Sequence, residues 1–167
     1  MPQVSADLYV PIPPELAFAV SQTTGATRRR WDPFIRGQHF LDGATAPAKG
    51  VRTYTASRLG PSMISQYVSF RPPTSVGMTM VSGPWFFGRF GGGWRFEPEG
   101  SGTRAIWKYT FDVRPTWLQP IGHRLGHVIL GYEIRRRVRG FAKGCRDEMV
   151  LAAAREALAQ RPPGGEG

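Results

Sequence analysis

The stretch that decides the fold runs from Tyr9 to Ile35 and reads YVPIPPELAFAVSQTTGATRRRWDPFI. It continues a segment, residues 4–10, in which apolar and polar side chains alternate, and this period of two predicts a strand with one buried face. The prolines that follow cannot donate to a sheet but fit the first turn of a helix, so they end the strand and open a helix. A second short helix is predicted over residues 27–32, with Pro33 ending it.

Two further regions complete the predicted order of elements. Between residues 37 and 113, six β-rich segments separated by glycine, proline and serine predict an antiparallel meander. From Leu118 to about Ala159 the sequence is rich in helix formers, with apolar residues three and four positions apart. Its two apolar stripes point in nearly opposite directions, so we expect a kink or break near Gly131, with the main helix after it.

Length and composition favour one domain. The chain has 167 residues, which suits a single core, and we expect this domain to cover residues 1–159 with a disordered tail over residues 160–167. Only Cys145 is present, so no disulfide can form within the chain. The first residues lack the pattern of a signal peptide and no stretch approaches a membrane span, which predicts a soluble cytoplasmic protein.

The charge of the chain is strongly basic. It has 22 Lys and Arg against 12 Asp and Glu, a net charge of +10, which would attract RNA, DNA or an acidic membrane surface. Much of the excess is arginine in two runs. The predicted basic surface comprises Arg28, Arg29, Arg30, Arg135, Arg136, Arg137 and Arg139. A functional patch requires the two runs to lie close together; otherwise the first run is the solvated end of a short helix.

Three stretches of the chain resemble a known superfamily. They are residues 9–35 quoted above, YVSFRPPTSV at residues 67–76, and the hairpin GGGWRFEPEGSGTRAIWKYTFDV at residues 91–113. Together they are similar to the START-like superfamily, also called SRPBCC, which includes polyketide cyclase/dehydrase-like and lipid-transfer proteins. The resemblance implies an α+β helix-grip fold: a curved antiparallel sheet of about seven strands, with two short helices after strand 1, wrapped around a long C-terminal helix. These stretches are structural rather than catalytic signatures.

The resemblance also implies a hydrophobic cavity between the sheet and the long helix. Apolar alternation along each strand, and the apolar stripe of the helix, then indicate which side chains face this space. The residues predicted to line it are Thr53, Thr55, Ile64, Val68, Met78, Met80, Trp94, Phe96, Trp107, Tyr109, Phe111, Val138, Phe141 and Cys145. These inward positions contain no carboxylate, since Asp7 and Asp112 fall on outward phases, which argues against an enzyme with paired carboxylates.

Other candidate sites are weaker. His123 and His127 lie four apart on a helix but lack further ligands, so no metal and no cofactor is predicted. Cys145 lies on the apolar stripe of the main helix, where a buried inert thiol is expected. The aromatic run at residues 85–90 is a cavity rim, a membrane contact or core. The amphipathic segment 117–130 is a lid, a membrane-surface helix or a plain extension of the long helix.

Two functions from different classes fit these observations. The first is binding of a small hydrophobic molecule such as a lipid or polyketide, with transfer or cyclisation as further options; an enzyme of this kind would be a polyketide cyclase or aromatase. The alternative, for which the ribosome-associated toxin and coenzyme-Q-binding-like branch of the superfamily is a precedent, is an interaction protein whose basic surface meets RNA or another acidic partner. We favour the small-ligand function, and peripheral membrane contact is compatible with it.

Overall fold

The computed structural model describes residues 1–161 and contains a seven-stranded sheet and four α-helices. Their bounds in chain order are β1 Gln3–Val10, α1 Pro14–Ser21, α2 Gly25–Trp31, β2 Ile35–Phe40, β3 Arg52–Ser57, β4 Ser62–Arg71, β5 Ser75–Ser82, β6 Phe87–Glu99, β7 Gly102–Val113, α3 Gln119–Gly144 and α4 Glu148–Ala159. All strand pairs are antiparallel, in the order β1-β7-β6-β5-β4-β3-β2. The predicted helix-grip fold, with two short helices after β1, is confirmed.

Glycine lets β5 and β6 approach each other in the middle of the sheet. Three glycines, at positions 91–93, pair with the segment of β5 between Gly77 and Thr79. A Cβ atom added to Gly91 would lie 3.0 Å from the carbonyl oxygen of Met78, and one added to Gly93 would collide with the backbone of Val76. The glycine-rich run therefore serves close strand contact, as expected of glycine inside a strand.

The prediction of a kink near Gly131 was wrong. Helix α3 runs without interruption from Gln119 to Gly144, and the break comes only at residues 145–147. Asp147 opens α4 by accepting hydrogen bonds from the amides of Met149 and Val150, as an N-cap residue does. No kink is needed because α3 does not bury both of its stripes. The first one faces solvent; its members are Ile121, Leu125, Val128, Ile129 and Tyr132.

The second stripe of α3 packs into the core, where Trp31 holds α2 against it. Ile134, Val138 and Phe141 are buried, and the Trp31 ring meets Phe141 edge-on, with centroids 5.6 Å apart. A Cβ atom on Gly144 would lie 2.8 Å from the Trp31 side chain, so glycine at this position allows the indole to reach the helix. The short helix therefore places the residues that follow Trp31, beginning with Asp32, in the interior between the sheet and α3.

The last described residues follow α4 without a new element. The Arg161 guanidinium lies 5.5 Å from the centre of the Phe70 ring. Residues 162–167 of the tail predicted to be disordered lie outside the described part of the chain. Within residues 1–161, no helix combines the length and the apolar character that crossing a membrane would require.

Candidate functional site: a two-chamber cavity beside a buried ion cluster

A buried ion cluster joins α2 to α3. Asp32, which follows α2, is completely buried and accepts four hydrogen bonds. Arg137 of α3 donates two of them, from Nε to Oδ1 at 3.0 Å and from Nη2 to Oδ2 at 2.7 Å. Arg28 donates a third from Nε to Oδ2 at 2.9 Å, and the amide of Phe34 donates the fourth at 3.1 Å. A carboxylate bound on both oxygens in this way is fixed in position.

The cluster corrects the predicted basic surface. Arg28 and Arg137 were placed on that surface, but only 6% and 8% of their area is exposed. The i, i+4 spacing of Arg28 and Asp32 turns the first arginine of the run inward, where its guanidinium lies 4.2 Å from the Trp31 ring centre. The other predicted members stay exposed, and Arg30 pairs with Asp147 at 2.7 Å; the exposed members are Arg29, Arg30, Arg135, Arg136 and Arg139.

The ion cluster contains more positive than negative charge. Burial alone would raise the pKa of Asp32, but the Arg137 and Arg28 guanidiniums and the hydrogen bonds outweigh it, so the pKa is lowered. The carboxylate is therefore ionised at neutral pH and faces two cations, which leaves the three side chains with one net positive charge. Part of this charge is stabilised by the Trp107 ring, whose centre lies 4.3 Å from the Arg137 guanidinium carbon.

An inner chamber of about 100 Å³ lies between this cluster and the sheet. Its apolar wall consists of Met63, Val76, Met78, Met80, Trp94 and Trp107. Its polar wall consists of Gln22, Arg28, Gln38, Thr53, Ser65 and Tyr67. Several of these groups bind one another: the Tyr67 hydroxyl donates to Gln22 at 3.0 Å, and burial raises its pKa to about 12.

Thr53 differs from the other polar side chains of the inner chamber. Only 1% of the residue is exposed, and its Oγ1 atom has no hydrogen-bond partner within residues 1–161. A buried hydroxyl without a partner costs free energy, so such groups are rare unless they meet a ligand or an ordered water. The inner chamber therefore contains an unused hydrogen-bonding position next to a cationic cluster.

An outer chamber of about 190 Å³ adjoins the inner one and is mainly apolar. Six residues contribute to both chambers and form the junction between them, namely Phe34, Thr55, Met63, Phe90, Tyr109 and Arg137. Toward the surface, the outer chamber is bounded by loop residues and the solvent-facing side of α3, namely Leu59, Pro61, Pro84, Phe86 and Ile129. The Tyr109 hydroxyl at the junction accepts a hydrogen bond from Arg137 Nη1, which ties the junction to the ion cluster.

Aromatic rings form a continuous path from the surface to the junction. Trp85 is exposed and contacts Phe86 at 5.9 Å between ring centres; Phe86 then contacts Phe87 at 4.8 Å. Phe87 meets Phe90 at 4.9 Å, and Phe90 meets Tyr109 at 5.2 Å. Within this run, Phe86 and Phe87 border the outer chamber and Phe90 lies in the wall of both chambers, whereas Trp85 is exposed beside them.

Twelve of the fourteen residues predicted to line the cavity fall into two groups in the structure. Those that line the chambers are Thr53, Thr55, Met78, Met80, Trp94, Trp107 and Tyr109. Five others are buried in the packed core instead: Phe96, Phe111, Val138, Phe141 and Cys145. The inward phase of β7 was predicted correctly, since its alternate residues from Thr103 to Val113 are all buried. A role in ligand binding stays a prediction for each residue.

The phase predicted for β4 was wrong over most of the strand. Val68 is 51% exposed, and Ile64 pairs with Tyr54 on the outer face of the sheet. Register shifts between β4 and β5, one of them between Tyr67 and Ser69, break the simple alternation. The residues next to Ile64 and Val68 on β4 face inward instead and line the inner chamber, namely Met63, Ser65 and Tyr67. An alternation rule cannot find an irregularity of this kind, because the extra residue leaves no sequence signal of its own.

Asp7 and Asp112 lie outside both chambers, as their outward strand phases predicted, but carboxylates approach the cavity from other elements. Asp32 lies in the buried cluster, and Glu133 of α3 borders the outer chamber, where burial raises its pKa. Neither residue belongs to a strand, so strand alternation could not reveal them. The i, i+4 spacing of Arg28 and Asp32 was the available sequence signal for a buried Asp32. The position of Arg137 next to the buried apolar stripe of α3 was a sequence signal that Arg137 is buried as well.

The remaining candidates have local structural roles. His123 Nε2 lies 2.9 Å from Asp112 Oδ1 at the edge of α3. In the described part of the chain, no group of three His, Cys, Asp or Glu side chains is arranged to hold a metal ion. Cys145 is buried, and burial raises the pKa of its thiol to about 12, which makes the thiolate scarce at neutral pH.

Comparisons with known proteins agree with this architecture. Residues 1–149 match the family model described as polyketide cyclase/dehydrase and lipid transport. The fold is similar to TTHA0849 from Thermus thermophilus, with a TM-score of 0.71 and 18% identity over 91% of this chain and 99% of that one. It is also similar to a START superfamily protein from Mycobacterium smegmatis, with a TM-score of 0.69 and 14% identity over 87% and 98% of the two chains.

A third similar structure is Ara h 8.0201, with a TM-score of 0.60 and 14% identity over 95% of this chain and 98% of that one. No curated protein sequence matches the chain. At these identities, the similarity to solved structures establishes the fold, and the cavity has to be interpreted from its own residues.

Proposed function

Because the chain belongs to the polyketide cyclase/dehydrase and lipid transport family, we propose that it binds a small amphipathic molecule in its two chambers. The observation that carries the proposal is the polarity of the cavity. The inner chamber ends at a cationic cluster and an unpartnered hydroxyl, whereas the outer chamber is mainly apolar. Pockets that are largely apolar with a few placed polar groups are typical of small-molecule sites.

This polarity gives the ligand a direction. A carboxylate or another acceptor head would lie in the inner chamber, close to the Arg28 guanidinium and the Thr53 hydroxyl. Its apolar body would pass Phe90 at the junction and extend into the outer chamber. Glu133 borders the outer chamber only, so its carboxyl would repel an anionic head there and favour the same orientation.

Binding without covalent chemistry is the function that we propose. The Asp32 carboxylate is held by four hydrogen bonds and has a lowered pKa, which makes it a poor base. Burial raises the pKa of Tyr109, and its hydroxyl is engaged by Arg137. Both groups serve better to hold the cavity wall than to exchange protons with a substrate.

A titration with decanoate and with decanol tests the proposal. Trp94 and Trp107 line the inner chamber and provide an intrinsic fluorescence signal. We expect both compounds to bind, with decanoate binding more tightly because its head is anionic and the cluster has one net positive charge. Equal affinity for the two would refute the charged head site while leaving an apolar cavity.

Two variants show whether binding takes place inside the cavity. Thr55→Phe places a ring at the junction of the two chambers and should abolish binding. Thr79→Phe introduces the same ring at an exposed position of β5 and should bind like wild type. Circular dichroism establishes that both are folded, and Met63→Phe provides a second obstruction if the first variant does not fold. A folded, obstructed variant that binds normally would overturn the proposal.

The alternative function, contact between a basic surface and RNA, has weaker support. Two of the seven arginines predicted for that surface are buried, and Arg30 is paired with Asp147. Affinity for nucleic acid comes largely from neutralised phosphates and falls steeply with salt. Filter binding at two salt concentrations tests this function, and salt-sensitive tight binding would favour it over the proposal.

A further inference from the structure

The solvent-facing side of the first half of α3 is apolar. Four residues, Ile121, Leu125, Val128 and Tyr132, are between 56% and 69% exposed, and Trp117 just before the helix is 79% exposed. At about 100° per residue, the four helical positions fall within roughly 60° of arc. We call Trp117 and these four residues the apolar ridge. Single exposed apolar side chains are ordinary, but a continuous set of this kind marks an interaction surface.

The second half of α3 continues the same side with cations. Arg135, Arg136, Arg139 and Lys143 are all exposed, and at about 100° per residue they lie within the same half of the helix surface as the ridge. The single acidic residue of α3, Glu133, borders the outer chamber instead of this side. One helix therefore presents an apolar half followed by a basic half with no carboxylate between them.

The apolar ridge continues to the entrance of the cavity. Ile129 borders the outer chamber from the side of α3, and Leu59 and Phe86 border it from two loops. Leu59 and the neighbouring Trp85 are each 80% exposed. The rim of the entrance and the ridge thus form one apolar surface, with cations beside it.

We propose that this surface docks on anionic lipid bilayers. Apolar side chains with tryptophan at the edge suit the boundary between head groups and acyl chains, and a basic flank pairs with lipid phosphates. In this orientation the entrance of the cavity faces the bilayer, so an amphipathic molecule passes between membrane and chamber without crossing water. Docking itself does not depend on the ligand proposed above.

Charge distinguishes a bilayer from other occupants of this surface. A second copy packed on the same side in parallel would bring two sets of four cations together. In the antiparallel arrangement, each basic half would cover the partner's apolar half and bury its cations. Either arrangement is costly because buried charges need partners. A nucleic acid would satisfy the cations but leave the apolar ridge without apolar contacts.

Flotation with phospholipid vesicles tests the proposal on the full chain. We expect little binding to pure phosphatidylcholine and strong binding when about a third of the lipid is phosphatidylglycerol. Because a cation near an anionic surface contributes about 1 kcal/mol, Arg136→Gln should lower the vesicle partition coefficient by about fivefold, and added salt should lower it further. Equal binding to both lipid compositions would overturn the electrostatic part of the proposal.

A matched pair of substitutions locates the contact. Val128→Ser on the ridge and Met149→Ser on α4 each remove an exposed apolar side chain, since the two residues are 69% and 65% exposed. The first should weaken vesicle binding several-fold, and the second should leave it unchanged. If both variants bind like wild type, the ridge is not the docking surface. If light scattering shows a dimer that Val128→Ser dissociates, a second copy covers the ridge and the proposal fails.

Discussion

The three consecutive arginines offer a test of the buried cluster, because they have the same chemistry in three different environments. Arg28 is buried against Asp32, Arg29 is exposed, and Arg30 pairs with Asp147 at the surface. We expect Arg28→Met to destabilise the protein by about 1–3 kcal/mol, because it removes charge-assisted hydrogen bonds to Asp32 and to the Ser21 carbonyl. Arg29→Met, the matched control, should leave the unfolding midpoint unchanged.

Asp32→Asn should have a larger effect than Arg28→Met. Removing Arg28 leaves the Arg137 cation and the Asp32 carboxylate, whose charges balance each other. Removing the charge of Asp32 leaves two buried guanidiniums without a counter-charge, and breaking a buried pair in this way costs about 3–5 kcal/mol. At roughly 2–4 °C per kcal/mol for a chain of this size, the melting temperature should fall by about 6–20 °C.

Urea denaturation followed by circular dichroism measures these differences, since the midpoint and slope give the free energy of unfolding. The order expected is wild type and Arg29→Met most stable, Arg28→Met less stable, and Asp32→Asn least stable. If Arg28→Met is at least as destabilising as Asp32→Asn, the claim that the cluster carries one net positive charge is refuted. If Asp32→Asn unfolds like wild type, the cluster does not stabilise the fold.

Three further predictions concern other parts of the molecule. Gly131→Ala should stabilise α3 by up to about 1 kcal/mol in a thermal melt, whereas Gly140→Ala should destabilise it, because its Cβ would collide with the Trp31 carbonyl; equal shifts would contradict this packing. The pKa of Glu133 is raised by burial, so its charge lowers stability once the pH exceeds the pKa of the unfolded state, about 4.3. Glu133→Gln should therefore raise the melting temperature more at pH 7 than at pH 4, and a pH-independent effect would refute the shift. Cys145 should resist thiol reagents until the protein unfolds, and rapid labelling of the native state would show that it is accessible.

Regular patterns in the sequence predicted most of the fold. The prolines after β1, the turn-separated β-rich segments and the apolar stripe around Ile134 each specify an element through a local rule. The inward faces of β3, of β7 and of the part of β6 around Trp94 and Phe96 followed from alternation, because the inward phase does not change within these segments. Prediction failed for β4, where the pairing with β5 shifts register and the phase changes within the strand.

The ion cluster could be predicted only in part, because its members come from distant positions. Arg28 and Asp32 lie one helical turn apart, and that spacing indicates a pair, but Arg137 is 105 residues beyond Asp32. A run of arginines in a basic chain favours solvent on average, and burial of Arg28 depends on tertiary contacts with Trp107 and with the Ser21 carbonyl.

The central claim is that an amphipathic ligand places its head beside Thr53, and two threonine variants test it directly by calorimetric titration with decanoate. Thr53→Val removes a hydroxyl without a partner, and Thr103→Val removes one that donates to the Ile12 carbonyl at 2.7 Å. A hydrogen bond to a charged group contributes about 1.5–3 kcal/mol, so Thr53→Val should raise the Kd for decanoate by roughly tenfold to a hundredfold without loss of stability. Thr103→Val should lower stability and leave the Kd unchanged. A Thr53→Val variant that binds decanoate as tightly as wild type would contradict the claim.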